Sequence, residues 1–213
     1  MSPGGPGQII LINGTSSSGK TTLAKALQAA LPDLWLEMGI DRFAHSLPER
    51  AGGELVWQQL FRYVPIDDRS DGRFAIRTTP LGQRFVSSLH ETVAVLAGQG
   101  FNVIVDHVIL ERSWLEEAAR LWAPFAVLFV GVRCPLQVVV ARERERKDRT
   151  LGQAEAHFHV IHQWAAYDVE VDTSRLNPEQ AAARVRTALE AGVARAGAPL
   201  VRRPVDLRGS DIP

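Results

Sequence analysis

The chain has 213 residues, of which 46% are hydrophobic and 23% charged, enough apolar material for one domain with a core. Basic and acidic residues number 24 each, which argues against general binding to nucleic acid or to an anionic membrane. A single cysteine, Cys134, excludes an intramolecular disulfide and a multi-cysteine zinc site. With no long apolar run and no secretory signal at the start, we expect a cytoplasmic protein with no nucleic-acid and no membrane partner.

Strand-like and helix-like segments alternate along the chain. Apolar runs typical of buried parallel strands lie at residues 8–13, 34–38, 101–108 and 125–132, and a more alternating run at 167–172 is expected nearer the sheet edge. Segments whose apolar residues have helical spacing separate these runs. The last of these helices has a clear N-terminal signal, with Asn177 as N-cap, Pro178 at the first helical position and Gln180 at the third. This predicts an α/β fold: a doubly wound, mostly parallel five-stranded sheet with helices on both faces. The domain would span residues 8–195, between a flexible leader at 1–7 and a surface tail at 196–213.

The first strand leads into GTSSSGKT at residues 14–21, which fits the phosphate-loop pattern G-x-x-x-x-G-K-[ST] and precedes a run of helix-forming residues. The two glycines permit a tight turn that points main-chain N–H groups at a phosphate, and the helix N-terminus adds partial positive charge. Lys20 would reach the β- and γ-phosphates, and the Thr21 hydroxyl could bind Mg²⁺. The predicted nucleotide-binding residues are Gly14, Thr15, Ser16, Ser17, Ser18, Gly19, Lys20, Thr21 and Thr22.

Asp41 follows the second strand, at the carboxyl edge of the sheet where ligands of doubly wound folds bind. It could take the proton of an acceptor hydroxyl, or cap a helix over residues 42–47; the spacing permits both. Residues 49–82 interrupt the alternation and predict an insertion on the acceptor side with some helix of its own. Its aromatic side chains could roof an acceptor pocket or belong to the core.

Within the apolar run at 101–108, the buried segment 102–106 closes on the carboxylate of Asp106, which needs a positive partner there. Mg²⁺ beside the phosphate loop would be that partner, and a cap on the following helix is the alternative. We expect the adjacent His107 to make a local contact.

Residues 142–149 are rich in arginine and predict a lid at about 142–152. Arg142, Arg146 and Arg149 are spaced i, i+4 and i+7, so one helix would align them over the triphosphate, with Arg149 as the strongest catalytic candidate. A solvated helix face is the alternative.

These segments together resemble the chloramphenicol 3-O-phosphotransferase family over residues 8–190. The similar strings are ILINGTSSSGKT at 10–21, MGIDRF at 38–43, VIVDHVIL at 103–110, FVGVRC at 129–134, the arginine run at 142–149 and YDVEVDT at 167–173. The resemblance implies a P-loop kinase fold, ATP with Mg²⁺, and phosphoryl transfer to an antibiotic hydroxyl. It also implies that Asp41 is the base and that Arg149 contacts phosphates.

We therefore expect an ATP-dependent O-phosphotransferase acting on a small hydroxylated acceptor, with Asp41, Lys20 and Arg149 as catalytic residues and Thr21 and Asp106 at the metal. Two alternatives stay open. A nucleoside or nucleoside monophosphate kinase could clamp an acceptor phosphate with Arg69, Arg73, Arg77 and Arg84. A nucleotide-binding switch without transfer activity is the other, although the guanine signature Asn-Lys-x-Asp is absent.

Overall fold

The computed structural model describes residues 5–44, 46, 53–65, 74–146, 151–192 and 195–196. Most of the predicted leader (1–4) and of the predicted tail (197–213) therefore lies outside the described residues, as does Arg149. The strands are β1 Ile9–Asn13, β2 Trp35–Gly39, β3 Phe61–Pro65, β4 Phe74–Thr78, β5 Asn102–His107, β6 Ala126–Arg133, β7 Val169–Asp172 and β8 Arg195–Ala196. The helices are α1 Lys20–Ala30, α2 Ile40–Ala44, α3 Gly53–Leu60, α4 Pro80–Gly98, α5 Arg112–Leu121, α6 Leu136–Glu145, α7 Gln153–Phe158 and α8 Pro178–Glu190.

Five parallel strands form the main sheet in the order β2-β5-β1-β6-β7, which confirms the predicted sheet and the edge position of the fifth strand. A sixth strand, β8, was not predicted and pairs antiparallel with the first two residues of β6. It can pair there because β7 covers only the carboxyl half of β6, from Val130 onward. Order along the sheet reverses at β1, so its carboxyl end lies at the switch point where such folds bind ligands.

Helices cover both faces of the sheet because β1 is apolar on both sides. Ile9 and Leu11 pack into a core under α4 and α5, while Ile10 and Ile12 face a second core formed with α1 and α8. All four side chains are fully buried. Among the described helices, none combines the length and apolar character that crossing a membrane requires.

The predicted insertion contains a helix and a hairpin. Its helix is α3, and directly after it β3 and β4 pair antiparallel. The hairpin was not predicted, because aromatic and polar residues in this region show no clear alternation. The insertion also ends before Gly82: Thr79 caps α4 by accepting the Gly82 N–H, and Pro80 occupies the first turn.

A buried histidine pair links α4 to β5. His90 and His107 are both 0% exposed, and their Nε2 atoms lie 3.0 Å apart. His90 Nδ1 lies 2.8 Å from Glu117 of α5. Burial lowers the pKa of His90, and burial followed by the neighbouring His90 ring holds the pKa of His107 well below its usual value. The local contact expected for His107 is therefore with His90.

These two pKa shifts predict that the protein loses stability below neutral pH. Between the lowered pKa values of the folded protein and the ordinary value of 6.5, the unfolded chain binds more protons than the folded chain does. The free energy of unfolding is therefore largest above pH 6.5 and falls as the pH decreases. We expect a slope of up to about 1.4 kcal/mol per pH unit for each histidine, measured by urea unfolding at several pH values down to mildly acidic conditions. His90→Gln should reduce the slope, whereas substitution of the exposed His159 should not. A flat profile would contradict the assignment.

Candidate functional site

The loop between β1 and α1 is buried and shaped for an anion. Gly19 has a φ of 92°, and a Cβ on Gly14 would lie 2.8 Å from the Val132 carbonyl oxygen, so both positions require glycine. Gly19 is also the N-cap of α1 and supplies no side-chain cap to its first N–H groups. Within the described part of the chain, the buried hydroxyls of Ser17 and Ser18 have no hydrogen-bond partner. Buried hydroxyls without a partner, beside a helix start that has no side-chain cap, are the features expected of a loop that binds a phosphate group.

Lys20, Thr21 and Asp106 meet where β1 and β5 end side by side. Lys20 Nζ donates to the Thr15 carbonyl oxygen at 3.0 Å and lies 3.8 Å from Asp106 Oδ1. The Thr21 hydroxyl donates to Asp106 Oδ2 at 2.5 Å. Asp106 does not cap a helix, because α5 begins only at Arg112.

The electrostatics of Asp106 favour a cation at this point. Burial raises the pKa of Asp106; Lys20 and the Thr21 hydrogen bond oppose that shift, and the charges of Asp41 and Glu37 add to it. A carboxylate that is costly to keep charged gains from a further positive partner. Its oxygens and the Thr21 hydroxyl are hard ligands of the kind that Mg²⁺ prefers.

A cavity of about 640 Å³ opens on one side of the loop. Its charged lining residues are Lys20, Lys25, Glu37, Asp41, Arg42, Asp106 and Arg146, and its apolar ones are Ile40, Trp57, Phe61, Ile76, Val108, Leu110 and Trp114. The aromatic wall is continuous: the ring centroids of Trp57 and Phe61 are 4.6 Å apart, and those of Phe61 and Trp114 are 6.3 Å apart. The insertion's aromatics could roof a pocket or belong to the core. Trp57 and Phe61 do both, because they line the cavity and Phe61, 2% exposed, belongs to the core against which Trp57 packs. Tyr63 and Phe74 pack on each other.

Asp41 stands at the rim of this cavity. The register of the sheet pairs Gly39 of β2 with Asp106 of β5, which brings Asp41, two residues further on, to the same edge. Asp41 lies within the first turn of α2 and not at its N-cap, since the helix begins at Ile40. Its side chain is exposed to the cavity and its charge reaches Asp106. The structure thus brings Asp41, Lys20, Thr21 and Asp106 into one site.

Several lining residues were missed by sequence reasoning. Glu37 has a side chain only 6% exposed and forms an ion pair with Arg42. A charged residue inside a short apolar strand was the available signal for Glu37. Lys25 lies one helical turn after Thr21 and would have been found by extending the phosphate-loop face along α1. Gln153 and His157 of α7 had no sequence signal, because only the tertiary fold places them at the loop.

A second cavity, of about 360 Å³, lies on the other side of the loop. Its lining residues are Ser17, Gly19, Thr22, Leu23, Arg142, Glu145, Arg146, Thr173, Leu176, Pro178 and Ala181. Four of them, Ser17, Gly19, Thr22 and Arg146, also line the larger cavity. The loop therefore forms the boundary between two cavities.

The predicted alignment of three arginines on one helix face is wrong. Helix α6 ends at Glu145, and Arg146 is its C-cap with extended backbone angles, φ −85° and ψ 121°. Arg142 points to β7, donating to the Thr173 carbonyl oxygen at 2.8 Å. Arg149, the third residue of the prediction, lies outside the described residues. Glu143 of the same helix accepts the main-chain N–H groups of Gly152 and Ala154.

The sequence matches a known protein family over most of its length. Residues 7–190 match the family described as chloramphenicol phosphotransferase-like protein, which confirms the resemblance found in the sequence strings. Two Mycobacterium tuberculosis proteins, from strains H37Rv and CDC 1551, are each 34% identical over 171 residues, covering 79% of this chain and 76% of theirs. Both are provisionally named O-phosphotransferases.

Solved kinase structures share the fold. The APS kinase CysC of Mycobacterium tuberculosis, in complex with AMPPNP and APS, superposes with a TM-score of 0.63 at 17% identity, over 88% of this chain and 99% of its own. A sugar kinase from Janibacter sp. HTCC2649 gives a TM-score of 0.62 at 20% identity, over 89% and 99%. At these identities the likeness shows the fold alone, that of P-loop kinases, as the resemblance implied.

Proposed function

The chain belongs to the chloramphenicol phosphotransferase-like protein family, and from that premise we propose that it is an ATP-dependent O-phosphotransferase acting on a hydroxyl of a small molecule. Family and fold make it a kinase-type phosphotransferase. The observation that carries the finer proposal is the position of the phosphate loop between two cavities, with the Asp41 carboxylate lining the larger one. A donor nucleotide and an acceptor need two separate cavities that meet at the phosphate to be transferred.

ATP would enter through the smaller cavity, with its nucleoside near Arg142 and Thr173 and its phosphates on the loop. The AMPPNP bound to the similarly folded APS kinase supports a nucleoside triphosphate as donor. Thr21 and Asp106 are the residues that would hold Mg²⁺, which neutralises phosphate charge when bound. Lys20 would stabilise the charge that develops on the transferred group.

Asp41 would act as the base. Its carboxylate accepts the proton of the acceptor hydroxyl while that oxygen attacks the γ-phosphorus. A new phosphorus–oxygen bond to the acceptor forms, the bond from the γ-phosphorus to the bridging oxygen breaks, and ADP leaves. Arg146 borders both cavities and would steady the transferred phosphoryl group. The family resemblance assigns the same task to Arg149.

The larger cavity favours a neutral acceptor with an apolar body. Its wall is aromatic, and its Arg42 is already paired with Glu37. Arg77 and Arg84, which a nucleoside monophosphate kinase could use as a phosphate clamp, are exposed and do not line the cavity. Arg69 and Arg73 lie outside the described residues. These observations support an aromatic antibiotic alcohol such as chloramphenicol as the acceptor.

An acceptor panel tests this proposal. The protein is incubated with ATP and Mg²⁺ and with neutral hydroxylated antibiotics, including chloramphenicol, alongside nucleosides and nucleoside monophosphates. We expect mass spectrometry to detect the gain of one phosphate on a neutral antibiotic and on no monophosphate. Formation of nucleoside diphosphates as the main product would instead support the nucleotide kinase. Tight nucleotide binding with no phosphorylated product from any acceptor would support a switch.

A further inference from the structure

Helix α7 is capped by a side chain from another helix. Its N-cap, Gly152, has no side chain to accept the first N–H groups. Glu143 of α6 does so instead: its Oε2 accepts the Gly152 N–H at 2.8 Å and its Oε1 accepts the Ala154 N–H at 2.7 Å. The Glu143 residue is only 2% exposed. A buried carboxylate placed against two main-chain donors fixes the start of α7 in one position.

Gln153 lies between the two residues that Glu143 holds. It is 8% exposed and lines the larger cavity, and its Nε2 donates to the Tyr63 hydroxyl at 2.6 Å. Tyr63 packs edge-on against Phe74, with ring centroids 4.9 Å apart. Through Tyr63, the Gln153 side chain is thus connected to the hairpin of the insertion.

The same turn of α7 is tied to the phosphate loop. The Thr15 hydroxyl donates to the Ala154 carbonyl oxygen at 2.9 Å, in a buried bond. Main chain on both sides of Gln153 is therefore held, by Glu143 at two N–H groups and by Thr15 at one carbonyl. The side-chain amide of Gln153 therefore starts from a backbone that is held at a fixed distance from the phosphate loop.

We infer that Gln153 is an acceptor-binding residue and that Glu143 is the positioning residue that holds it in the cavity. An amide can make about four hydrogen bonds, and the bond to Tyr63 uses one. Beside the aromatic residues Trp57, Phe61 and Trp114, Gln153 then recognises a neutral polar group of the acceptor, such as a carbonyl, amide or second hydroxyl. This inference rests on the proposed function, because it assigns the larger cavity to the acceptor.

Glutamate is the required residue at position 143. Glutamine there would keep the shape but offer one acceptor oxygen where two N–H groups need acceptors, and its own NH₂ would face a donor. Glu143→Gln should therefore release the start of α7 without removing any cavity residue. Glu155 lies on the same helix but does not line either cavity, so Glu155→Gln is the matched control.

The test measures acceptor KM, kcat and nucleotide Kd for Gln153→Leu, Glu143→Gln, the double variant and Glu155→Gln. We expect Gln153→Leu to raise the acceptor KM by roughly three- to tenfold, the loss of one hydrogen bond. The Kd of AMPPNP and kcat should stay within about twofold. Glu143→Gln should raise the acceptor KM in the same way. The double variant should raise the acceptor KM no further than Gln153→Leu alone, because Glu143 acts through Gln153. Glu155→Gln should leave all three values unchanged.

The inference is overturned if Gln153→Leu leaves the acceptor KM unchanged, or if the two single effects multiply in the double variant. Should Glu143→Gln fail to fold, Tyr63→Phe keeps the test open: it retains the ring on Phe74, frees the Gln153 amide, and should raise the acceptor KM by about two- to threefold. No change in that variant also overturns the inference. If the wild-type protein phosphorylates no acceptor, the proposed function fails. In that case calorimetry measures the Kd of each panel compound for the wild-type protein and for Gln153→Leu. The inference is overturned unless Gln153→Leu weakens the binding of at least one compound.

Discussion

Replacing Asp41 with asparagine is expected to lower kcat for phosphoryl transfer by a factor of about 10² to 10⁴, the usual contribution of a positioned general base. Asparagine keeps the shape of the side chain but cannot accept the proton of the hydroxyl. Because Asp41 lines the larger cavity and not the smaller one assigned to the nucleotide, the Kd of AMPPNP should stay within about twofold of the wild-type value. Steady-state kinetics with the best acceptor of the panel and calorimetry with AMPPNP measure the two quantities.

Asp33→Asn serves as the control for this change. Asp33 is exposed, lies between α1 and β2 and lines neither cavity, so its loss should not affect kcat. If Asp41→Asn retained full transfer activity with every acceptor, another group would have to take the proton. Glu37 would be the next candidate, although its carboxylate is already paired with Arg42.

Replacing Lys20 with methionine is expected to reduce kcat by about 10² to 10³ and to weaken ATP binding, since electrostatic stabilisation of the transferred group is lost. A second consequence follows inside the protein. Lys20 Nζ lies 3.8 Å from Asp106 and lowers the pKa of that buried carboxyl. Without Lys20 the pKa of Asp106 should rise further, so a larger fraction of the carboxyl is protonated at a given pH. The affinity for Mg²⁺ should then fall most at the acidic end of the range.

The measurements are kcat with saturating acceptor and the Mg²⁺ dependence of the rate at several pH values. Arg186→Met removes a partly exposed cation on α8 and should change neither. A Lys20→Met variant with normal kcat and normal Mg²⁺ dependence would show that the loop binds phosphate through its main chain alone.

Local sequence signals were sufficient for the sheet and the phosphate loop. The apolar runs predict the five parallel strands, and Gly14, Gly19 and Lys20 form a recognisable pattern because they lie close together in the chain. The helix start at Asn177 was predicted for the same reason, and the structure confirms its capping box with Gln180. The hairpin of the insertion was not predicted, because its pairing depends on α3 and α4 packing beside it.

The sequence by itself determined the five parallel strands, the loop after β1 and the carboxylates near the carboxyl ends of β2 and β5, because each depends on residues close together in the chain. Only the tertiary structure decided which side chains face the two cavities. Glu143 bonds residues 152 and 154, and Gln153 meets Tyr63 across 90 positions of sequence. A buried carboxylate and two unpaired N–H groups stabilise each other only when the chain folds back, and that cannot be recognised from the arginine spacing.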